Sequence, residues 1–190
     1  MSTKSYSRRS FLTLAGAAAA AFAGLALAGC GSSSSDSASD SDDSGSSATG
    51  AASMTEDEIR AQWASFPSDP VNLYDAVPTS EEEMPTISVE ELHDLMESGE
   101  QYALVDVNSS VMYADGHIDT ALNYPWSASG FTQDPELPRG VKMVFYCVCQ
   151  AEEDSMHMGF SAVNGYAYRN IFLLKGGTPA WEAAGYQLVK

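Results

Sequence analysis

The chain is 190 residues long, carries 26 acidic against nine basic residues for a formal net charge of −17, and is 44% hydrophobic. That excess of negative charge excludes a protein that grips nucleic acid or an anionic lipid surface by electrostatics. Three cysteines are too few for a disulfide framework.

The first thirty residues hold Lys4, Arg8 and Arg9, then an uncharged, alanine- and leucine-rich run from Ser10 to Gly29, the layout of a targeting segment. Ser7-Arg8-Arg9-Ser10-Phe11-Leu12 resembles the twin-arginine export signal. Leu27-Ala28-Gly29-Cys30 resembles a lipobox, whose cysteine is lipidated and becomes the mature N-terminus. The two resemblances imply a signal peptide over 1–30 and a lipid anchor at Cys30 that holds the protein on the outer face of a bacterial cell membrane. A plain transmembrane anchor is the other reading of an apolar run this long. Removing 1–30 takes three basic residues and no acid, so six basic residues face 26 acidic ones and the charge falls to −20.

Residues 31–53 are nearly all Ser, Asp, Ala and Gly, a composition that buries too little apolar surface to offset the entropy of ordering, and they read as a disordered tether. Residues 54–83 read as a helical extension. Thr55-Glu56-Asp57-Glu58 fits a capping box, and Ile59, Trp63 and Phe66 follow at helical spacing until Pro67 and Pro70 end the pattern.

From 84 to 190 helical and strand patterns alternate. Ser88 to Glu91 forms a second capping box, with Leu92, Leu95 and Met96 on one face and Gly99 as a stop. "YALVDV", "ALNYP", "KMVFYC" and "NIFLL" read as short strands, and "TPAWEAAG" as a last helix. Between Asp154 and Tyr166, Met156, Phe160 and Val163 fall at i, i+4 and i+7, which predicts a helix laying that stripe on the sheet. The alternation predicts an α/β domain with a mainly parallel central sheet flanked by helices, its site beyond the carboxyl ends of the strands.

Cys147 occupies that position, ending the most apolar strand just ahead of a helix start. A thiol reacts as its thiolate, which positive surroundings favour, yet the next charges are Glu152, Glu153 and Asp154. Backbone amides of Val148, Cys149, Gln150, Ala151, Glu152, Glu153 and Asp154, curling into a helix N-terminus, are the expected source of the missing field. Asp154 reads as the helix cap, and Glu152 and Glu153 as solvent-facing. An oxyanion-binding phosphatase loop would need an arginine six residues after the cysteine for bidentate binding, and Glu153 stands there.

"LVDV" at Leu104 to Val107, "GHIDTALNYP" at Gly116 to Pro125, "VFYC" at Val144 to Cys147 and "GYAYRNIFLLKGGTPAWEAAGY" at Gly165 to Tyr186 together resemble the rhodanese-like sulfurtransferases. The resemblance implies the rhodanese-like three-layer α/β fold over 84–190. It also implies a catalytic Cys147 that takes sulfane sulfur from a donor, holds it as a persulfide and passes it to a thiol acceptor, with no cofactor. Where the family often has Arg after the "DV" pair, this chain has Asn108, and no Lys or Arg lies between Lys142 and Arg169. A dianion such as thiosulfate is therefore disfavoured, and a small persulfide or another protein's persulfide is the expected partner.

Cys149 is a small loop-filling residue, an accessory thiol that receives the sulfur, or half of a C-x-C disulfide. Met156, His157 and Met158 add soft donors, but neighbouring helical positions diverge by about 100°, so no metal site is expected. Asp106 and His117 read as structural residues near the site, His93 as solvated, and Trp181 with Gly176-Gly177 as architectural. Two other classes remain open: a rhodanese-fold binding or sensing module without catalysis, and a C-x-C thiol–disulfide element.

Overall fold

The computed structural model describes residues 53–190; the expected signal peptide over 1–30 with its expected lipidation site Cys30, and all but the last residue of the expected tether over 31–53, lie outside the described residues. One sheet of five parallel strands forms the centre: β1 (Thr86–Ile87), β2 (Tyr102–Asp106), β3 (Ala121–Asn123), β4 (Lys142–Tyr146) and β5 (Ile171–Leu174), in the order β1-β5-β4-β2-β3. The sequence pattern identifies β2 to β5. It misses β1, whose two residues are too short to show a period.

Strands β2 and β4 are buried on both faces, which is why they read as continuous apolar runs rather than alternating ones. Alternate residues feed two cores. Ala103, Val105, Met143, Phe145, Ile171 and Leu173 pack with Met158, Ala162 and Val163 on one side. Leu104, Val144, Tyr146 and Leu174 pack with Leu92, Leu95, Tyr113 and Trp181 on the other. Each fully buried side chain of this size contributes about 1.5–3 kcal/mol by leaving water, so the three layers hold one another in place.

The helices are α1 (Glu56–Ala64), α2 (Val89–Glu97), α3 (Ser110–Asp115), α4 (Glu153–Tyr166) and α5 (Gly177–Ala183). Both expected capping boxes form, Thr55 with Glu58 and Ser88 with Glu91. On α4 the buried stripe differs from the expected one: Ser155, Met158, Gly159, Ala162 and Val163 face the sheet, while Met156 and Phe160 pack at its margin. The reason is closeness. A Cβ on Gly159 would sit 3.1 Å from Met84 Cε and 3.3 Å from Leu173 Cδ2, so only small residues fit the line of contact.

The extension is stitched to the domain more firmly than an appended helix would be. Ile59 is 1% exposed, Phe66 belongs to the core, and the Trp63 ring stacks on Tyr124. The Tyr74 hydroxyl donates to the Ile171 carbonyl at 2.8 Å and accepts from the Ile171 amide at 2.9 Å. Among the described residues no helix is long and apolar enough to cross a membrane.

Candidate functional site

Parallel pairing sets the site. Asp106 lies beside Tyr146 in register, so β2 and β4 end together and Asn108 comes to rest against the residues after Cys147. The Asp106 carboxylate accepts the Asn108 amide at 2.7 Å, and Asn108 Oδ1 accepts the Val148 amide at 2.8 Å. From β3, Asn123 Nδ2 donates to the carbonyls of Asp106 and Asn108 at 3.0 and 2.9 Å. Asn108, where the family often has a cation, thus holds the cysteine loop by a neutral hydrogen bond. Asp106 is fully buried, its second oxygen has no hydrogen-bond partner among the described residues, and burial raises its pKa above the usual carboxylate value.

On the far side of the loop stands the β5–α5 turn. The Thr178 amide donates to the Cys147 carbonyl at 3.0 Å. Gly177 has φ +55°, and a Cβ there would overlap that same carbonyl oxygen, so two physical reasons require glycine. Gly176 donates its amide to Glu152 Oε1. The glycine pair, read from the sequence as architecture, is a wall of the cysteine site.

Cys147 itself is buried, at 0% exposure. Its sulfur accepts the Cys149 amide at 3.3 Å and lies 3.9 Å from Ser155 Oγ. The expected ring of amides from Val148 to Asp154 is narrower than that. Val148 donates to Asn108 and Glu152 to the Cys149 carbonyl, because the turn closes on itself before the helix starts. Gln150 and Ala151 are exposed at its tip. The first turn of α4 contributes the amides of Glu153, Asp154 and Ser155, which have no intrahelical partner, together with the positive end of the helix dipole.

The acids divide three ways, against the sequence expectation. Glu152, not Asp154, is the N-cap residue of α4; it has φ +58°, makes no side-chain cap, and sends its carboxylate to Gly176 rather than to water. A left-handed non-glycine residue costs about 1–3 kcal/mol, which the surrounding contacts must offset. Asp154 accepts a hydrogen bond from Cys149 Sγ at 3.3 Å in place of capping the helix. Glu153 alone is exposed as expected. Among the described residues none of the three pairs with a Lys or Arg.

Cys149 is half-buried, and its thiol pKa is pushed up to about 12, first by burial and then by the neighbouring Cys147. Cys147 Sγ, Cys149 Sγ and an Asp154 oxygen lie within 4.8 Å of one another, a proximity their mutual hydrogen bonds account for. The other soft donors do not join them. Met158 is buried in the core, and His157 Nδ1 turns to Glu81 Oε1 at 2.9 Å.

His117 is apart from the thiols: its Nδ1 lies 3.0 Å from the Tyr113 carbonyl, its ring stacks on Tyr113, and its backbone pairs with Val189. His93 is not solvated as expected but stacks on Tyr186 at 4.3 Å between ring centroids, because the C-terminal segment folds over α2. The sequence reading misses Ser155 and Thr178. A small polar residue in the first turn after the cysteine loop, and a residue just past the glycine pair at a strand end, were the signals available.

A family model for the rhodanese-like domain matches residues 88–184. No curated protein sequence matches the chain. Among solved structures, a rhodanese-related protein from Thermoplasma volcanium is 22% identical, with 55% of this chain and 97% of that one covered at a TM-score of 0.46. A thiosulfate sulfurtransferase from Pseudomonas aeruginosa is 26% identical over 57% of this chain and 20% of that one, TM-score 0.44. A Rhodopseudomonas palustris protein described as a possible tyrosine phosphatase is 19% identical over 64% and 99%, TM-score 0.46.

Proposed function

Given that the chain belongs to the rhodanese-like domain family, we propose that it is a sulfurtransferase that carries sulfane sulfur as a persulfide on Cys147, tethered through a lipid on Cys30 to the outer face of a bacterial cell membrane. One observation carries the reading: a cysteine at the carboxyl end of the central strand β4 whose sulfur accepts the Cys149 amide beside the open first turn of α4. Amides and a helix N-terminus stabilise a thiolate or persulfide anion without a basic side chain.

The donor follows from charge. With no Lys or Arg among the described residues set against Glu152, Glu153 and Asp154, a small persulfide or a protein persulfide is favoured over thiosulfate. Access follows from burial: the donor reaches the Cys147 sulfur when the turn over it, from Val148 to Glu152, yields. The test is intact-protein mass spectrometry of the reduced chain after incubation with thiosulfate or with a low-molecular-weight persulfide. One added sulfur on the wild type and none on Cys147→Ser is the expected result, with the persulfide the better donor. Equal uptake by Cys147→Ser sinks the reading.

A second reading, a non-catalytic binding or sensing module, is favoured by the full burial of Cys147 beside an apolar surface. Met112 and Val148, each 41% exposed, border one shallow groove with Asn108 and Thr178. A specific partner retained by Cys147→Ser, with no sulfur uptake by the wild type, would establish it.

A further inference from the structure

Two thiols in one small site need separate explanations, and their surroundings differ. Cys147 is buried and its sulfur receives an amide hydrogen bond, an arrangement suited to an anion. Cys149 is half-buried and its sulfur gives a hydrogen bond to a carboxylate, an arrangement suited to a thiol that will lose its proton. The two sulfurs and the Asp154 oxygen lie within 4.8 Å of one another, so nucleophile, electrophile and proton acceptor are already assembled.

We propose that Cys149 resolves the persulfide on Cys147 by attacking its inner sulfur, with Asp154 taking the proton, so that the site releases sulfide and closes a Cys147–Cys149 disulfide. The step rests on the persulfide reading above. Its balance is complete. The bond between the Cys147 sulfur and the sulfane sulfur breaks, and a bond between the two cysteine sulfurs forms. The sulfane sulfur leaves with the electron pair as hydrosulfide, reduced by two electrons, while the two cysteine sulfurs together are oxidised by two. The Cys149 proton passes to the Asp154 carboxylate and from it to the sulfane sulfur, which carries none in the persulfide anion and so leaves as hydrosulfide. No external oxidant enters, because the persulfide already carries the oxidising equivalent.

Three chemical arguments favour the direction. The leaving group is hydrosulfide, the conjugate base of a stronger acid than a cysteine thiol, and lower-pKa groups leave faster. Asp154 accepts the Cys149 thiol hydrogen bond at 3.3 Å, so it can take the proton as the new sulfur–sulfur bond forms, and a thiol that burial keeps protonated need not ionise first. A disulfide between cysteines separated by a single residue is strained and therefore readily reduced, so an external dithiol reductant returns the site to its starting state. The turnover is then persulfide in, sulfide out, with dithiol consumed, rather than transfer of sulfur to a nucleophilic acceptor.

The experiment uses the full chain in a Cys30→Ser background, so that only Cys147 and Cys149 are counted. The reduced protein is loaded with a stoichiometric low-molecular-weight persulfide, desalted and followed without reductant by intact mass and by released sulfide. The expected wild-type course is loss of the added sulfur, one equivalent of sulfide, and a product two hydrogens lighter than the reduced chain. Cys149→Ser, compared with the wild type from the loaded state, is expected to hold its sulfur more than about tenfold longer. Asp154→Asn is expected to slow release by roughly tenfold or more while still reaching the disulfide. Wild type that loads but keeps its sulfur as long as Cys149→Ser overturns this step and leaves the carrier reading standing. A chain that takes up no sulfur overturns both.

Discussion

Helices α2 and α4 begin in opposite ways. At α2, Ser88 accepts the Glu91 amide and Glu91 accepts the Ser88 amide at 2.9 Å, so the helix supplies its own cap from residues adjacent in sequence. At α4 the corresponding residue is Glu152, left-handed, without a side-chain cap, its carboxylate committed to Gly176 across the site. A capped terminus is a finished piece of structure, whereas an uncapped one beside a buried sulfur leaves amides and a dipole for something else to use. The difference teaches that the cysteine loop, besides the hydrogen bonds within it, is anchored from outside by Gly176, Thr178 and Asn108 in place of a local cap.

Removing the outside support is the harshest way to break that contrast. Gly177→Ala places a Cβ against the Cys147 carbonyl at a left-handed position, and we expect a loss of about 3 kcal/mol in denaturant unfolding together with loss of sulfur uptake. Unaltered uptake would mean that the β5–α5 turn does not hold the site.

The next effect separates the two helix starts directly. Ser88→Ala is expected to cost about 1 kcal/mol, seen as a lower urea midpoint, and to leave sulfur uptake unchanged. Glu152→Gln is expected to cost about 1 kcal/mol as well, through the weakened hydrogen bond to Gly176, but to alter uptake. If both variants shift uptake alike, the contrast fails.

A smaller, pH-confined effect sharpens the β2 side. Burial raises the Asp106 pKa in the folded state, so over the interval above the ordinary carboxylate value the native protein binds more protons than the unfolded chain. The stabilisation belonging to the protonated form is therefore present at low pH and is lost as pH rises through the folded pKa. Urea midpoints measured across that interval should fall with pH in the wild type relative to Asp106→Asn, and parallel curves would show that Asp106 does not titrate there.

What could be read from the chain follows the range of the interactions involved. Both capping boxes span four residues, so Ser88 and Glu91 announce α2 without help from the rest of the fold. Strands β2, β4 and β5 are legible because burial on both faces demands unbroken apolar runs. Placement of Cys147 at a strand end then follows from alternation alone. The α4 stripe was misread because periodicity counts large apolar residues, while close packing of a helix on a sheet selects Gly159 and Ala162.

The site itself was only half legible. Sequence by itself determined the layering, the residue types in the cysteine loop and the absence of a basic side chain from Ala151 to Asp154, since these are properties of composition and period. Only the tertiary structure decided where each acid points. Glu152 meets Gly176 because parallel strands bring segments 24 residues apart to one edge, and Asp154 meets Cys149, five residues before it, in the loop held there; no periodic pattern encodes which partner a carboxylate finds.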